Sequence, residues 1–147
     1  MRIIGLDVGS KTIGVAVSDP MGWTAQGLNT LRRSGLKKDF AAICQYIRDY
    51  EVKEVLIGLP LNMNGSRGPA AESAEQFGAG LGQAAINAGM PITITMRDER
   101  LTTMAAQRVL LEGDVSRRGR KLVIDKMAAV LILQGYLDFL RQMNSGG

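Results

Sequence analysis

The chain of 147 residues contains no histidine, one cysteine and one tryptophan, and each scarcity removes a class of chemistry. Without histidine there is no Ser-His-Asp triad, no Cys-His pair, no imidazole acid–base catalyst and no histidine-bearing zinc site. A single cysteine, Cys44, excludes an internal disulfide and a cysteine-cluster metal site. On a helical stretch it reads as a small buried hydrophobe. No apolar run approaches the roughly 18 residues of a membrane span, and the first residues lead straight into a strand pattern, so a cytoplasmic location is expected. Internal repeats and low-complexity tracts are absent as well, which predicts one domain over residues 1–141 with a short tail at 142–147. For an enzyme with this composition, carboxylates acting with a hard divalent ion are the natural remaining route.

What is present is ordinary for a globular domain: 46% hydrophobic and 22% charged residues, in a chain long enough for a sizeable core. The formal charge of +4 mildly favours a polyanionic partner. The stretch Arg2–Asp19 reads as two strands joined by a tight turn, with Ile3, Ile4 and Leu6 before it and Ile13, Val15 and Val17 alternating after it. Further strands are expected at Trp23–Leu31, Glu54–Leu59 and Pro91–Met96. Helices are expected at Lys37–Tyr50, Ala70–Ala88, Thr102–Leu111 and Leu122–Leu140, with a Gly- and Arg-rich loop at Glu112–Arg120. The order β-β-β-α-β-α-β-α-α predicts an α/β fold with a mixed five-stranded sheet and helices on both faces.

Three acidic positions stand out against this frame. Asp7 lies in an apolar strand between Leu6 and Val8, where an unpaired charge is costly. Gly5 and Gly9 beside it leave room for a phosphate or a metal ion. Asp98 and Glu99 follow the last strand, where open α/β sheets place ligand sites; they face opposite sides of an extended chain, and Glu99 is favoured as the functional one. Asp125 heads a helical stripe continued by Ala129, Ile132, Leu133, Tyr136 and Leu140, an expensive place for a purely structural acid. The structural alternatives are a turn cap for Asp7, a bracket around a Thr102 helix cap for Asp98 and Glu99, and a favourable dipole contact for Asp125. Together, Asp7, Glu99 and Asp125 could hold one or two Mg²⁺ or Mn²⁺ ions for an in-line attack on a phosphodiester.

Four segments then resemble one family in chain order: Gly5–Ala16 (GLDVGSKTIGVA), Ile57–Ser66 (IGLPLNMNGS), Asp98–Thr103 (DERLTT) and Ile124–Gln134 (IDKMAAVLILQ). They are similar to the YqgF-type, Holliday-junction-resolvase-like proteins. The resemblance implies a ribonuclease H-like fold and a nuclease that processes the 5′ end of the small-subunit ribosomal RNA precursor, with Holliday-junction resolution as the alternative. The family's acidic triad would fall on Asp7, Glu99 and Asp125. Junction resolvases of the same fold carry an acid at the end of the fourth strand, where this chain has Leu59-Pro60, so equal activity on junctions does not follow.

Nucleic acid, as structured RNA or branched DNA, is the expected partner of a monomer or homodimer. Candidate phosphate contacts are Lys11 in the first turn, Asn62, Asn64 and Arg67 in the loop after the fourth strand, Arg100, and the basic run Arg117, Arg118 and Arg120. Arg32, Arg33, Lys37 and Lys38 form a second basic cluster whose place relative to the site the sequence does not give. Two rivals remain: a non-catalytic nucleic-acid-binding assembly factor, and a nucleotide- or sugar-phosphorylating enzyme whose first phosphate loop also reads G-x-D-x-G-S. The second needs another such loop and a longer chain.

Overall fold

The computed structural model describes residues 2–101, the backbone of 117–145 and the side chains of 127–144. Strand β1 (Arg2–Val8) and strand β2 (Thr12–Ser18) are buried along nearly their whole lengths, as central strands covered on both faces must be. They pair antiparallel, with Asp7 opposite Gly14. The turn between them closes on a hydrogen bond from Gly9 N to Thr12 O of 2.9 Å. A Cβ at Gly9 would lie at the same 2.9 Å from that oxygen, so a larger residue would force the turn open.

Strands β3 (Ala25–Gly27) and β4 (Leu31–Arg32) both pair antiparallel with β2. The third strand expected over Trp23–Leu31 is therefore two short pieces, and the sheet has six strands rather than five. The intervening Leu28 donates its N–H to Val15 O but extends neither ladder. Helix α1 (Leu36–Asp49), strand β5 (Val52–Leu59), helix α2 (Pro69–Asn87) and strand β6 (Thr93–Asp98) follow. Here β5 pairs parallel with β1 and β6 parallel with β5, giving the order β3-β2-β1-β5-β6. The last strand begins at Thr93 rather than Pro91, which has no N–H to give a ladder, and continues to Asp98 opposite Leu59.

Helix α2 starts with proline at its first turn and stops at Gly89, whose φ of +77° lets Met90 N reach back 2.8 Å to Ala85 O. A short 3₁₀ turn, Glu99–Leu101, ends the first described segment. Helix α3 spans Arg117–Ser145. Residues 117–120, expected in a loop, are thus helical, and the helix continues past Leu140 through most of the expected tail. The expected helix at Thr102–Leu111 and the rest of the loop lie outside the described residues.

Two apolar layers hold these elements together. One face of the sheet packs Leu6, Val15, Val55 and Ile57 against Ile43 and Ile47 of α1 and Phe77 and Leu81 of α2. Phe40 and Phe77 meet edge-to-face there, their centroids 5.0 Å apart. The opposite face packs Ile3, Ala16 and Leu56 against Ala128, Ala129, Ile132, Leu133 and Leu137 of α3. The mixed α/β sheet with helices on both faces is the observed architecture. Among the described residues, no helix is long and apolar enough to cross a membrane.

Candidate active site

Side chains alternate along a strand, and Gly5 shows which face Asp7 takes. A Cβ on Gly5 would lie 3.0 Å from Leu133 Cβ and 3.4 Å from Ala129 O. Gly5 therefore faces α3, and so does Asp7 two residues on, which is only 8% exposed. The β1–β5 register pairs Leu6 with Ile57, and one further step along these parallel strands sets Asp7 beside Gly58. Gly58 faces α3 as well, since a Cβ there would meet Ile132 Cδ1 at 2.6 Å. The same Cβ would lie 2.7 Å from Glu99 Oε1 and 3.1 Å from Glu99 Cγ. The carboxylate of Glu99, turned back by the 3₁₀ turn, thus lies over the backbone of Gly58 on the side of the sheet that carries Asp7.

Helix α3 runs opposite to β1. Tyr136 donates a 2.6 Å hydrogen bond to Glu54, which is the partner of Ile3, whereas Leu133 and Ala129 sit over Gly5. One further turn toward the helix N-terminus carries backbone position 125 to the end of the sheet where Asp7 lies. The side chains of Asp125, Arg117, Arg118 and Arg120 lie outside the described ones. Among the described residues no group of three or more potential ligands is placed to hold a metal ion. The two described carboxylates nevertheless fit such an ion by their chemistry. Both offer hard oxygen donors, and Gly58, having no side chain, admits the Glu99 carboxylate close to the backbone beside Asp7.

Asp98 turns the other way. It accepts from Arg100 N at 2.9 Å, Nε at 3.1 Å and Nη2 at 2.8 Å. The hydrogen bond from Arg100 holds the Asp98 carboxyl below its ordinary value. Arg100 also donates to Met63 O at 3.2 Å, so this guanidinium ties the end of β6 to the loop after β5. In that loop Asn62 and Asn64 converge on Ser66, through bonds of 2.9 and 2.6 Å to its hydroxyl, and Arg67 pairs with Glu75 at 2.8 Å. Of the expected phosphate contacts, Asn62, Asn64, Arg67 and Arg100 are thus engaged in organising the loop. Lys11 is exposed at the β1–β2 turn.

Sequence reasoning gave no role to Gly58 or to Arg33. The first carries a signal that could have been used: a glycine inside an apolar strand marks a close approach. Arg33 seemed part of a solvated basic cluster. Its Nε pairs with the buried Asp39 at 3.1 Å, and its Nη1 donates to Gly9 O at 3.0 Å, fastening the site turn to the start of α1.

Known proteins resemble this chain in family and in fold. The family described as "RuvX: Holliday junction resolvase" matches residues 1–139. A Moorella thermoacetica protein named "Putative pre-16S rRNA nuclease" is 60% identical over 142 residues, covering 97% of this chain and 98% of its own. A protein of the same name from Halalkalibacterium halodurans is 57% identical, covering 94% and 96%. Among solved structures, Thermus thermophilus RuvC in complex with a Holliday junction substrate superposes with a TM-score of 0.58 at 14% identity, over 95% of this chain and 96% of that one. At that identity the likeness is one of fold, the ribonuclease H-like fold of the resolvases.

Proposed function

Since the chain belongs to the RuvX family, whose profile covers residues 1–139, we propose that it is a metal-dependent endonuclease that trims the 5′ end of the pre-16S ribosomal RNA. The observation that supports this reading is the Glu99 carboxylate over Gly58, on the strand beside Asp7 and on the same face of the sheet, at the end toward which α3 runs with position 125. Asp7, Glu99 and Asp125 are its catalytic and metal-holding residues. A bound Mg²⁺ or Mn²⁺ supplies charge neutralisation at the scissile phosphate and lowers the pKa of a nearby water.

The chain's own residues then do the positioning. Asp7, held in a rigid central strand, fixes one carboxylate; Glu99 fixes a second through its packing on Gly58 and Ile132. The tight Gly9 turn fixes the end of β1 just beyond Asp7, and Lys11, with Arg117, Arg118 and Arg120, neutralises substrate phosphates. Asn62, Asn64, Arg67 and Arg100 shape the loop that flanks the strand on the Glu99 side. The cytoplasm, where precursor rRNA is made in bacteria, is the matching location, and the protein acts as a monomer or homodimer.

The relatives' name favours RNA, while the family description favours a four-way DNA junction. The test is purified protein with Mn²⁺ on a ribosomal RNA precursor and on a four-way junction, with Asp7→Asn alongside. Cleavage of the precursor at its 5′ side, lost in Asp7→Asn with binding retained, is the expected result. Equal cutting by the variant would show that Asp7 is not part of the site, and cutting of the junction alone would reassign the substrate.

A further inference from the structure

The basic cluster Arg32–Lys38 now has a position. Arg33 N donates to Lys11 O at 2.9 Å, and the Arg33 guanidinium bridges Gly9 O to the buried Asp39 in the first turn of α1. Asp39 also accepts from Ser34 N at 3.0 Å. These bonds fasten the β4–α1 connection against the turn that follows Asp7. Lys11, Arg32, Lys37 and Lys38 are all exposed. They form a surface that starts at the site end of β1 and wraps onto the opposite face of the sheet.

Three features separate this surface from a solvated run of charges. First, among the described residues none of its four cations makes an ion pair. Between residues 8 and 38 the sole acid is Asp19, which lies at the far end of β2 and accepts from Trp23 N at 2.7 Å. Asp39, the acid that neighbours the lysines, is consumed by Arg33. Second, Lys37 and Lys38 occupy the first turn of α1, where cations oppose the helix dipole; local stability would favour acids there. Charges that contradict local electrostatics are expected where function requires them. Third, the backbone that carries these side chains is tied to the turn after Asp7 through Arg33 and Asp39, so the cations spring from anchored positions.

We propose that Lys11, Arg32, Lys37 and Lys38 form a phosphate-backbone track that holds the substrate nucleic acid on one side of the cut site. The track rests on the nuclease reading for its substrate, but its binding can be measured without cleavage. It gives no sequence selectivity, since phosphate contacts position a strand without reading bases. The strand leaving the site passes over the β1–β2 turn and lies along the start of α1.

The test measures affinity by fluorescence anisotropy across a salt series in an Asp7→Asn background, using a single-stranded precursor rRNA fragment and a four-way DNA junction. Lys37→Gln/Lys38→Gln is compared with Arg48→Gln/Lys53→Gln, an equal loss of charge at the far end of the sheet. Removing two phosphate contacts should make the log–log salt slope shallower by about 1.4 on a single strand and about 1.8 on a duplex, with weaker binding at low salt. The control pair should leave both unchanged. The melting temperature of Lys37→Gln/Lys38→Gln should hold or rise, so that weaker binding is not a loss of fold. Equal salt slopes for the two double variants, or no binding of either nucleic acid by the parent, would overturn the track. A wild type that binds both substrates and cuts neither would sink the nuclease reading, and the difference in slopes would still establish the track.

Discussion

Replacing Gly58 by alanine tests whether Glu99 is held in place for chemistry. The added Cβ would meet Glu99 Oε1 at 2.7 Å and Ile132 Cδ1 at 2.6 Å, where ordinary contact begins at 3.4 Å. Each neighbour must therefore retreat by roughly 0.7 Å, and both can, because each is the end of a side chain rather than backbone. The cost to stability is correspondingly modest. Overpacking typically costs about 1–3 kcal/mol, and removing a strand glycine returns about 0.5–1 kcal/mol. The net loss of roughly 1 kcal/mol should lower the melting temperature by about 2–4 °C. The cost to catalysis should be larger, since a misplacement near 1 Å in a positioned group can cost about 10²-fold. Gly58→Ala should thus cleave about 10- to 100-fold more slowly and need more Mn²⁺ for half-maximal rate, at nearly native fold. Single-turnover cleavage across a Mn²⁺ series, beside a thermal melt, provides the readout. Native rate and native metal requirement in a variant with the expected melting shift would refute the placement of Glu99 in the chemistry.

Other substitutions probe the supports of the site. Arg33→Met leaves the 3%-exposed Asp39 carboxylate without its cationic partner, with Ser34 N still donating to it, and should destabilise by about 3 kcal/mol, which Asp39→Leu in the same chain should largely restore; denaturant melts of the three variants decide it. Tyr136→Phe removes the 2.6 Å bond to Glu54, leaving Thr95 as that oxygen's donor, and should cost about 1–2 kcal/mol by thermal melt. The Tyr136 hydroxyl is raised above its ordinary value by burial first and by Glu54 second. Its contribution is therefore complete below the unfolded value near pH 10 and fades as pH rises through the higher folded value. Asp98 behaves in the opposite sense, because its folded value is lowered. Its pairing stabilises above the ordinary carboxylate value of 3.8 and is lost as pH falls through the lower folded one. The stability gap between wild type and Asp98→Asn should accordingly close on acidification below about pH 4, and a gap constant through an acid titration would contradict the pairing.

Much of the framework was legible because periodicity reports burial. The apolar runs of β1, β2 and β5 and the i, i+3, i+4 pattern of α1 and α2 are direct consequences of being covered. The third strand misled because Trp23–Leu31 has no alternation, and only pairing with β2 shows that its two ends are used separately. Gly119 misled in the other direction: it suggested a loop, yet the arginines and lysine around it are good helix formers and residues 117–120 are helical. At the site, Asp7 was visible as an acid in an apolar strand, and the opposed directions of Asp98 and Glu99 follow from neighbouring positions facing opposite ways. The pocket that Gly58 makes for Glu99 was not visible, because it joins residues 41 positions apart across two strands. Arg33 was hidden for a similar reason, since nothing in a basic run tells which member will turn inward to a buried acid.

The divided third strand also bears on how the chain behaves toward its own copies. An exposed edge strand offers a row of unpaired N–H and C=O groups that another chain can extend into a fibril. Here the outer partner of β2 is three residues at one end and two at the other, with Leu28 bonded back to Val15 between them. No stretch along that side is long enough to template an intermolecular ladder, and β2 itself, buried throughout, is shielded by both fragments. The interruption that made this region unreadable as a strand is what keeps the most hydrophobic ribbon of the sheet from seeding aggregation.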